Sequence, residues 1–481
     1  MFNLTFFISA AQKVIILSLS EAVKIAQSQS IDSKLLKIEN GISKETYSLQ
    51  RAQFFPQINF NSSVPGYNSS ITSVTQPDGT IKFTTVEQAF STMGVSLTQI
   101  LVATGGSITA SSNINRFDRL TGNRSTNFNT QPFVLGLNQP LFRFNESSFI
   151  LKNANINYLI SSKIFIKRQE ELALKVSTLF HIVLSLQTTM DQLSFAQNST
   201  DTLLLFAKQK LVLGKIEEDE FLQLQIEQSN TKMQLMQTVN NYRLAKNNLL
   251  NLLNLNDDNI DLVLVPTEPS SFELNSQQLL TTLFDYFKLN NPQFEQYKLG
   301  IETNKADIKR AKLNRLPNIN LVAGYGSNQS AANLNDAYQN VLTQQNVTLG
   351  ISMPLYTSGT NTANLKIAAY QQQNLQLQFQ QFEQQILNDL LKQLQTYEMA
   401  SLQINTAHFA DSISQRRYEI SHNKYIAGKI NYTDLLIAQN QQLQAKQGYV
   451  NAIAAYWQAY YQLRVTTMYD IEKQEDIYKK E

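Results

Sequence analysis

The residues able to do chemistry are few and scattered. His181, His408 and His422 are the only histidines, and none has a second donor at metal-ligand spacing. Cysteine is absent, which excludes thiolate metal sites, Cys nucleophiles, disulfides and a lipid-modified N-terminal Cys. No Gly-rich phosphate loop, nucleophile elbow or zinc motif is present. The expectation is therefore a protein without catalytic residues, metal or cofactor. Acidic residues cluster at Glu217-Glu218-Asp219-Glu220. Repeated around an axis, such carboxylates would favour cations, while at the start of a helix they would simply sit well near its positive dipole end. Net charge is +2, with both signs interspersed, so nucleic acid is not an expected partner.

The elements that position these groups are set by proline and glycine. Between 146 and 265 there is no proline before Val265 and one glycine, Gly214. From 360 to 481 there is again no proline, and the glycines are Gly428 and Gly448. So few breakers amid Leu, Gln, Lys, Glu and Ala predict very long helices. Leu172, Val176, Leu179, Val183, Leu186, Met190 and Leu193 form a heptad seam, and Leu387, Leu390, Leu394 and Tyr397 begin another. Strand text lies between the helices. Phe133, Leu135 and Leu137 alternate with Val134, Gly136 and Asn138, and Val347, Leu349 and Ile351 alternate with Thr348, Gly350 and Ser352. Stretches near 56–64 and 317–326 alternate in the same way. Each is about 9–11 residues, the length of a membrane-spanning strand, although a half-buried soluble sheet has the same period. A further hairpin about Gly105-Gly106, over 94–112, could add barrel strands or decorate a loop. Phe54, Phe55, Phe142, Phe144, Tyr325 and Tyr356 sit at strand ends, where a barrel carries an aromatic girdle.

The chain repeats itself. Leu135-Gly136-Leu137-Asn138-Gln139-Pro140-Leu141-Phe142 matches Leu349-Gly350-Ile351-Ser352-Met353-Pro354-Leu355-Tyr356 at an offset of 214. Leu213-Gly214-Lys215-Ile216 matches Ala427-Gly428-Lys429-Ile430 at the same offset. Two glycine turns are thus expected at one extreme and the strands at the other. Four strands per chain cannot close a barrel, and open edges cannot face lipid. A membrane reading therefore requires an oligomer, and three chains would supply twelve strands.

At this point the sequence resembles the TolC family of outer-membrane efflux and secretion channels. The resemblance rests on the duplicated unit, the strand-end Gly-x-x-x-Pro-Leu-(Phe/Tyr) motifs, and Tyr425-Ile426-Ala427-Gly428-Lys429-Ile430 followed by Asp434-Leu435-Leu436. It implies a mixed, mainly α fold with membrane β-structure. Two tandem repeats would form one third of a trimeric 12-stranded outer-membrane β-barrel, continuous with a long periplasmic α-helical barrel. The implied site is a periplasmic gate at Tyr425 and Asp434, with Glu220 opposite Asp434 in the first repeat. Ordinary packing for Tyr425, and helix-dipole placement for Asp434, are the alternatives. Ile430 and Ile437 stand where the family carries an arginine and a second acid. The implied docking tips are Leu213, Gly214 and Lys215 with Ala427, Gly428 and Lys429.

The expected organisation is a signal segment at 1–11, a first repeat at 12–255, a connector at 256–276, a second repeat at 277–468 and a charged tail at 469–481. The long helices are placed at 146–213, 216–253, 360–427 and 429–468, and the strands near 56–64, 131–142, 317–326 and 346–356. The resemblance implies a homotrimer in outer-membrane lipid of a Gram-negative-type cell, with most of the chain in the periplasm. It would act as a passive conduit for small molecules or proteins. Its partners would be a periplasmic adaptor (membrane fusion protein) and an inner-membrane RND or ABC transporter. The rival reading from the residues is a periplasmic coiled-coil adaptor.

Overall fold

The computed structural model describes residues 13–122, 124–255, 260–269 and 276–478. The signal segment expected at 1–11 lies outside them. The chain forms two compact units, one mainly helical (Met1–Gly41, Ile160–Glu295, Gln381–Glu481) and one built on strands (Ile42–Leu159, Gln296–Gln380).

The duplication is visible residue by residue. Helix α3 (Glu146–Val212) and helix α7 (Thr360–Ile426) each have 67 residues, and both ends are 214 apart. Helices α4 (Glu218–Leu253) and α8 (Tyr432–Thr467) each have 36 residues at the same offset. Each of these ends on a left-handed cap, Asn254 at φ 58° and Met468 at φ 52°. Before the strands the offset changes. Helix α2 (Ile31–Ala52) and helix α6 (Pro292–Leu313) each have 22 residues, but lie 261 apart. The first repeat therefore carries 47 residues more than the second between its leading helix and α3 (261 − 214).

In the helical unit, β1 (Lys13–Leu17) pairs in parallel with β6 (Ile260–Leu264). Helices α1 (Leu19–Gln29) and α5 (Ser276–Asn290) complete its shorter helices. Its core buries Leu19, Phe180, Leu249, Leu253, Leu262, Leu283, Phe287, Tyr397 and Tyr456. Of the first heptad seam, Leu172, Val176, Val183 and Leu193 are buried. The charged C-terminal residues are partly ordered into the core: β9 (Tyr469–Asp470) pairs with β10 (Glu475–Asp476), and Tyr469 stacks on Tyr286 at 4.2 Å. An 18-residue window of α3 reaches the hydropathy of a membrane span, and 44% of it is buried.

In the strand unit, one antiparallel sheet holds six strands in the order β2-β3-β4-β5-β7-β8. They are β2 (Gln57–Thr75), β3 (Ile81–Leu101), β4 (Gly106–Arg119), β5 (Ser125–Leu141), β7 (Asn318–Ala331) and β8 (Leu342–Ser352). The sequence reading counts four core strands; the sheet adds β3 and β4. Whether a hairpin joins a sheet is decided by ladder hydrogen bonds to strands distant in sequence, which local alternation does not contain. Five of the six strands also run longer than 9–11 residues, and β8 has 11. Two register shifts fall at prolines, Pro65 in β2 and Pro132 in β5, where the missing N–H breaks the ladder. At the helix side of this unit, Arg310 of α6 grips Glu146 of α3 with Nε and Nη2 at 2.7 and 2.9 Å.

Candidate functional site

The two glycine turns, both in the helical unit, have one geometry. Gly214 has φ 64° and Gly428 has φ 69°, a left-handed conformation that glycine adopts without a Cβ penalty. In the first turn, Gly214 N–H donates to the Leu211 carbonyl and Lys215 N–H to the Lys210 carbonyl, each at 2.9 Å. In the second, Gly428 donates to Tyr425 and Lys429 to Lys424, also at 2.9 Å. This crossed pair satisfies the last carbonyls of α3 and α7. A Cβ at either glycine would meet nothing within 4 Å, so conformation alone demands glycine there. Leu213, Lys215, Ala427 and Lys429 are exposed at these turns.

Behind the turns lies a small core. Leu203, Ala207, Leu224, Tyr418, Tyr425, Tyr432 and Leu435 are buried together, with Ile216, Phe221, Ile430 and Leu436 packed against them. Tyr425 meets Tyr432 edge-on at 5.9 Å. Burial, then the charge of the nearby Glu220 carboxylate, pushes its phenol's pKa well up. Lys210 Nζ sits 5.5 Å from the Tyr425 ring centroid. The tip core thus joins α7 and α8 of the second repeat to α3 and α4 of the first, with the Glu220 carboxylate near Tyr425.

Asp434 is not part of that core. It is exposed in the first turn of α8, where its N–H donates to Asn431 Oδ1 at 2.9 Å. It borders a groove with Ile430, Ile437, Arg416, Arg417 and Lys424. The two positions that depart from the family pattern thus share a groove with Asp434, and three cations of α7 line it. Glu218, Asp219 and Glu220 likewise occupy the first turn of α4, which the exposed helix N–H groups favour.

Sequence reasoning missed Tyr418 and Tyr432. Their signal was present, since Tyr418, Tyr425 and Tyr432 are seven apart, but the turn between the last two hides it from a helical-face argument. The histidines have local partners: His181 is buried with Nδ1 2.7 Å from the Ser177 carbonyl, and His422 packs on Tyr418. Among the described residues no group of three or more potential ligands could hold a metal ion.

Comparison with known proteins bears on these features directly. Residues 283–467 match the outer membrane efflux protein family model. The chain carries an outer membrane efflux protein domain. That domain takes in β7, β8, α7, the Gly428 turn and α8. The fold is that of the TolC-type outer-membrane channels. Over 168 residues the chain is 24% identical to a probable outer membrane lipoprotein, SilC, of Salmonella typhimurium; the match spans 35% of this chain and 36% of that protein. The CmeC outer membrane channel of Campylobacter jejuni superposes with a TM-score of 0.67 at 13% identity, over 96% of this chain and 87% of that one. The open state of the Neisseria gonorrhoeae MtrE channel gives 0.63 at 15% identity, over 96% and 91%. At such identities the outer membrane efflux protein domain shares its fold with these channels, and its own tip chemistry must be argued from its own residues.

Proposed function

We propose that the chain is the outer-membrane channel of a tripartite efflux or type I secretion system. Three copies form a passive conduit, with the strands in the outer membrane and most of the chain in the periplasm. The observation that carries this reading is the two-faced sheet. One face bears Ile58, Phe60, Leu135, Leu137, Ala323, Leu349 and Ile351, and the other bears Asn59, Asn61, Gly136, Asn138, Gly324, Thr348 and Gly350. Apolar residues face lipid and small polar ones line water in such a wall. Phe55, Tyr325, Phe142 and Tyr356 remain exposed on this unit, as girdle residues would be.

The tips Leu213–Lys215 and Ala427–Lys429 dock on a periplasmic adaptor that serves an inner-membrane RND or ABC transporter. Tyr425 and Glu220 hold the tip helices together within one chain. Three copies of Asp434 about the axis make a cation-favouring ring. Fractionation tests the reading: heat-modifiable oligomers in detergent-extracted outer membrane are expected, and release with soluble periplasm overturns it.

A further inference from the structure

The surplus of 47 residues in the first repeat is not a loop; it is wall. β3 and β4 lie between β2 and β5, with 14 paired residues between β3 and β4 and 12 between β4 and β5. From Gly106 to Ser111 of β4 the two faces of the sheet continue across them, before a register shift between Ser111 and Asn113 in the β4–β5 ladder. On the apolar face, Ile58 is opposite Leu97, Leu97 opposite Ala110, and Ala110 opposite Leu135. One step along, Ile108 is opposite Leu137. On the other face, Asn59 is opposite Ser96, Ser96 opposite Ser111, and Thr109 opposite Gly136. A hairpin that merely decorated a mouth loop would have no reason to carry a lipid-type face in register with the other four strands.

A second observation concerns the glycines. Glycines on the polar face lie under polar side chains in the same manner in both parts of the sheet. A Cβ on Gly94 would collide with the Asn113 side chain, one on Gly136 with Thr109, and one on Gly324 with Asn346. This placing of glycine beneath polar side chains is therefore shared by the added hairpin and the core strands.

We infer that each chain contributes six strands, so that three copies close an eighteen-stranded barrel (three times six) by pairing β8 of one chain with β2 of the next. This rests on the trimeric channel reading. Both edge strands are unpaired, every residue of β8 is exposed, and β2 and β8 run in opposite directions, so their union extends the antiparallel order. Edges facing lipid are not tolerated. The width also agrees. Six strands about 4.8 Å apart and tilted about 40° occupy about 38 Å of circumference, against about 25 Å for four. The four helices that lead into the sheet occupy about 40 Å when packed side by side at about 10 Å. Barrel diameter grows roughly linearly with strand number, so this lumen is about one and a half times as wide as a twelve-stranded one, in the range of the open porins. Its Asn, Ser, Thr and Gly lining suits bulky hydrated polar cargo, and size selection falls to the helical tips.

The cysteine-free chain makes the test direct in the full-length protein reconstituted in lipid. Ser96→Cys and Thr109→Cys are expected to react with a water-soluble maleimide. Leu97→Cys and Ala110→Cys are expected to resist it, and a bimane attached there in detergent should be quenched by brominated lipid after reconstitution. Equal labelling of all four overturns the wall assignment, whatever the oligomer. Asn59→Cys combined in turn with Thr348→Cys, Gly350→Cys and Ser352→Cys should give an inter-chain disulfide in at least one pairing; none in any pairing overturns the β2–β8 closure. Native mass spectrometry reads the copy number separately. A mass other than three chains, with alternating labelling intact, overturns the trimer and the count of eighteen while leaving six strands per chain standing.

Discussion

Arg464 of α8 holds Glu170 of α3 with two parallel hydrogen bonds, Nε at 2.8 Å and Nη2 at 3.1 Å, across 294 residues of sequence. Its Nη1 also reaches Asp470 at 3.0 Å and the Tyr460 hydroxyl at 2.9 Å, and Tyr460 donates to Asp470 at 2.8 Å. Both carboxylates are almost fully buried. This network joins the two repeats and pins the C-terminal segment. Arg464→Met leaves two buried carboxylates without their cation, and is expected to cost about 3–5 kcal/mol. Arg464→Lys recovers little, because an ammonium cannot form the two-pronged contact. Chemical denaturation of the purified oligomer checks both; a wild-type midpoint for Arg464→Met would refute the assignment.

The buried Tyr425 predicts a graded series. Tyr425→Phe keeps the packing and loses only the hydroxyl near Glu220, a cost of about 1 kcal/mol. Tyr425→Ala also empties part of the tip core, and should cost about 3–5 kcal/mol. Closed-channel leakage in planar bilayers should rise in that order. Wild-type leakage for Tyr425→Phe would mean that the hydroxyl does nothing for closure, and equal leakage for the two variants that the ring adds nothing to it.

Alkaline pH should weaken the helical unit. Burial, as the leading cause, pushes the Tyr397 and Tyr461 phenols up to about 12. In the unfolded chain they ionise near 10. Their contribution is complete below about pH 10 and is lost as pH rises through about 12, because only the unfolded state gives up its protons in that window. A Tyr397→Phe, Tyr461→Phe double variant should lose less stability than wild type between pH 10 and 12, measured by unfolding midpoints. Parallel curves would contradict the burial argument.

The turn glycines carry a purely conformational demand. Gly214→Ala and Gly428→Ala should each destabilise by about 1–2 kcal/mol, and Gly428→Asn by less, since Asn tolerates the left-handed region. Thermal unfolding of the set is the measurement. A larger loss on Asn than on Ala would show that space, rather than φ, governs the turn.

Asp434 faces a groove rather than a partner acid. If its three copies ring the axis, Asp434→Asn should weaken block of single-channel current by multivalent cations, while leaving folding unchanged. An unaltered block curve would reduce Asp434 to a residue placed for the α8 dipole.

Much of this protein was legible as text. The glycine turns at 214 and 428, and the rarity of breakers between them and the strands, are local facts that set helix ends directly. The shared offset of 214 carried the duplication. The two-faced character of β5 and β8 followed from period-2 alternation. What could not be read was membership and partnership. Alternation over 94–112 is the same for a wall strand as for a mouth loop, and Tyr425 on a helical face points equally well at a neighbouring chain or its own.

The sequence by itself determined the repeat, the lengths of its helices and which residues share a strand face, because each depends on backbone geometry over a few neighbouring residues. Only the tertiary structure decided that β3 and β4 stand between β2 and β5, that Tyr425 packs with Leu203 and Leu224 of the other repeat, and that Arg464 seeks Glu170. Those pairings are made between residues tens to hundreds of positions apart. Their energy comes from burying and satisfying groups together, and no single segment of chain contains that information.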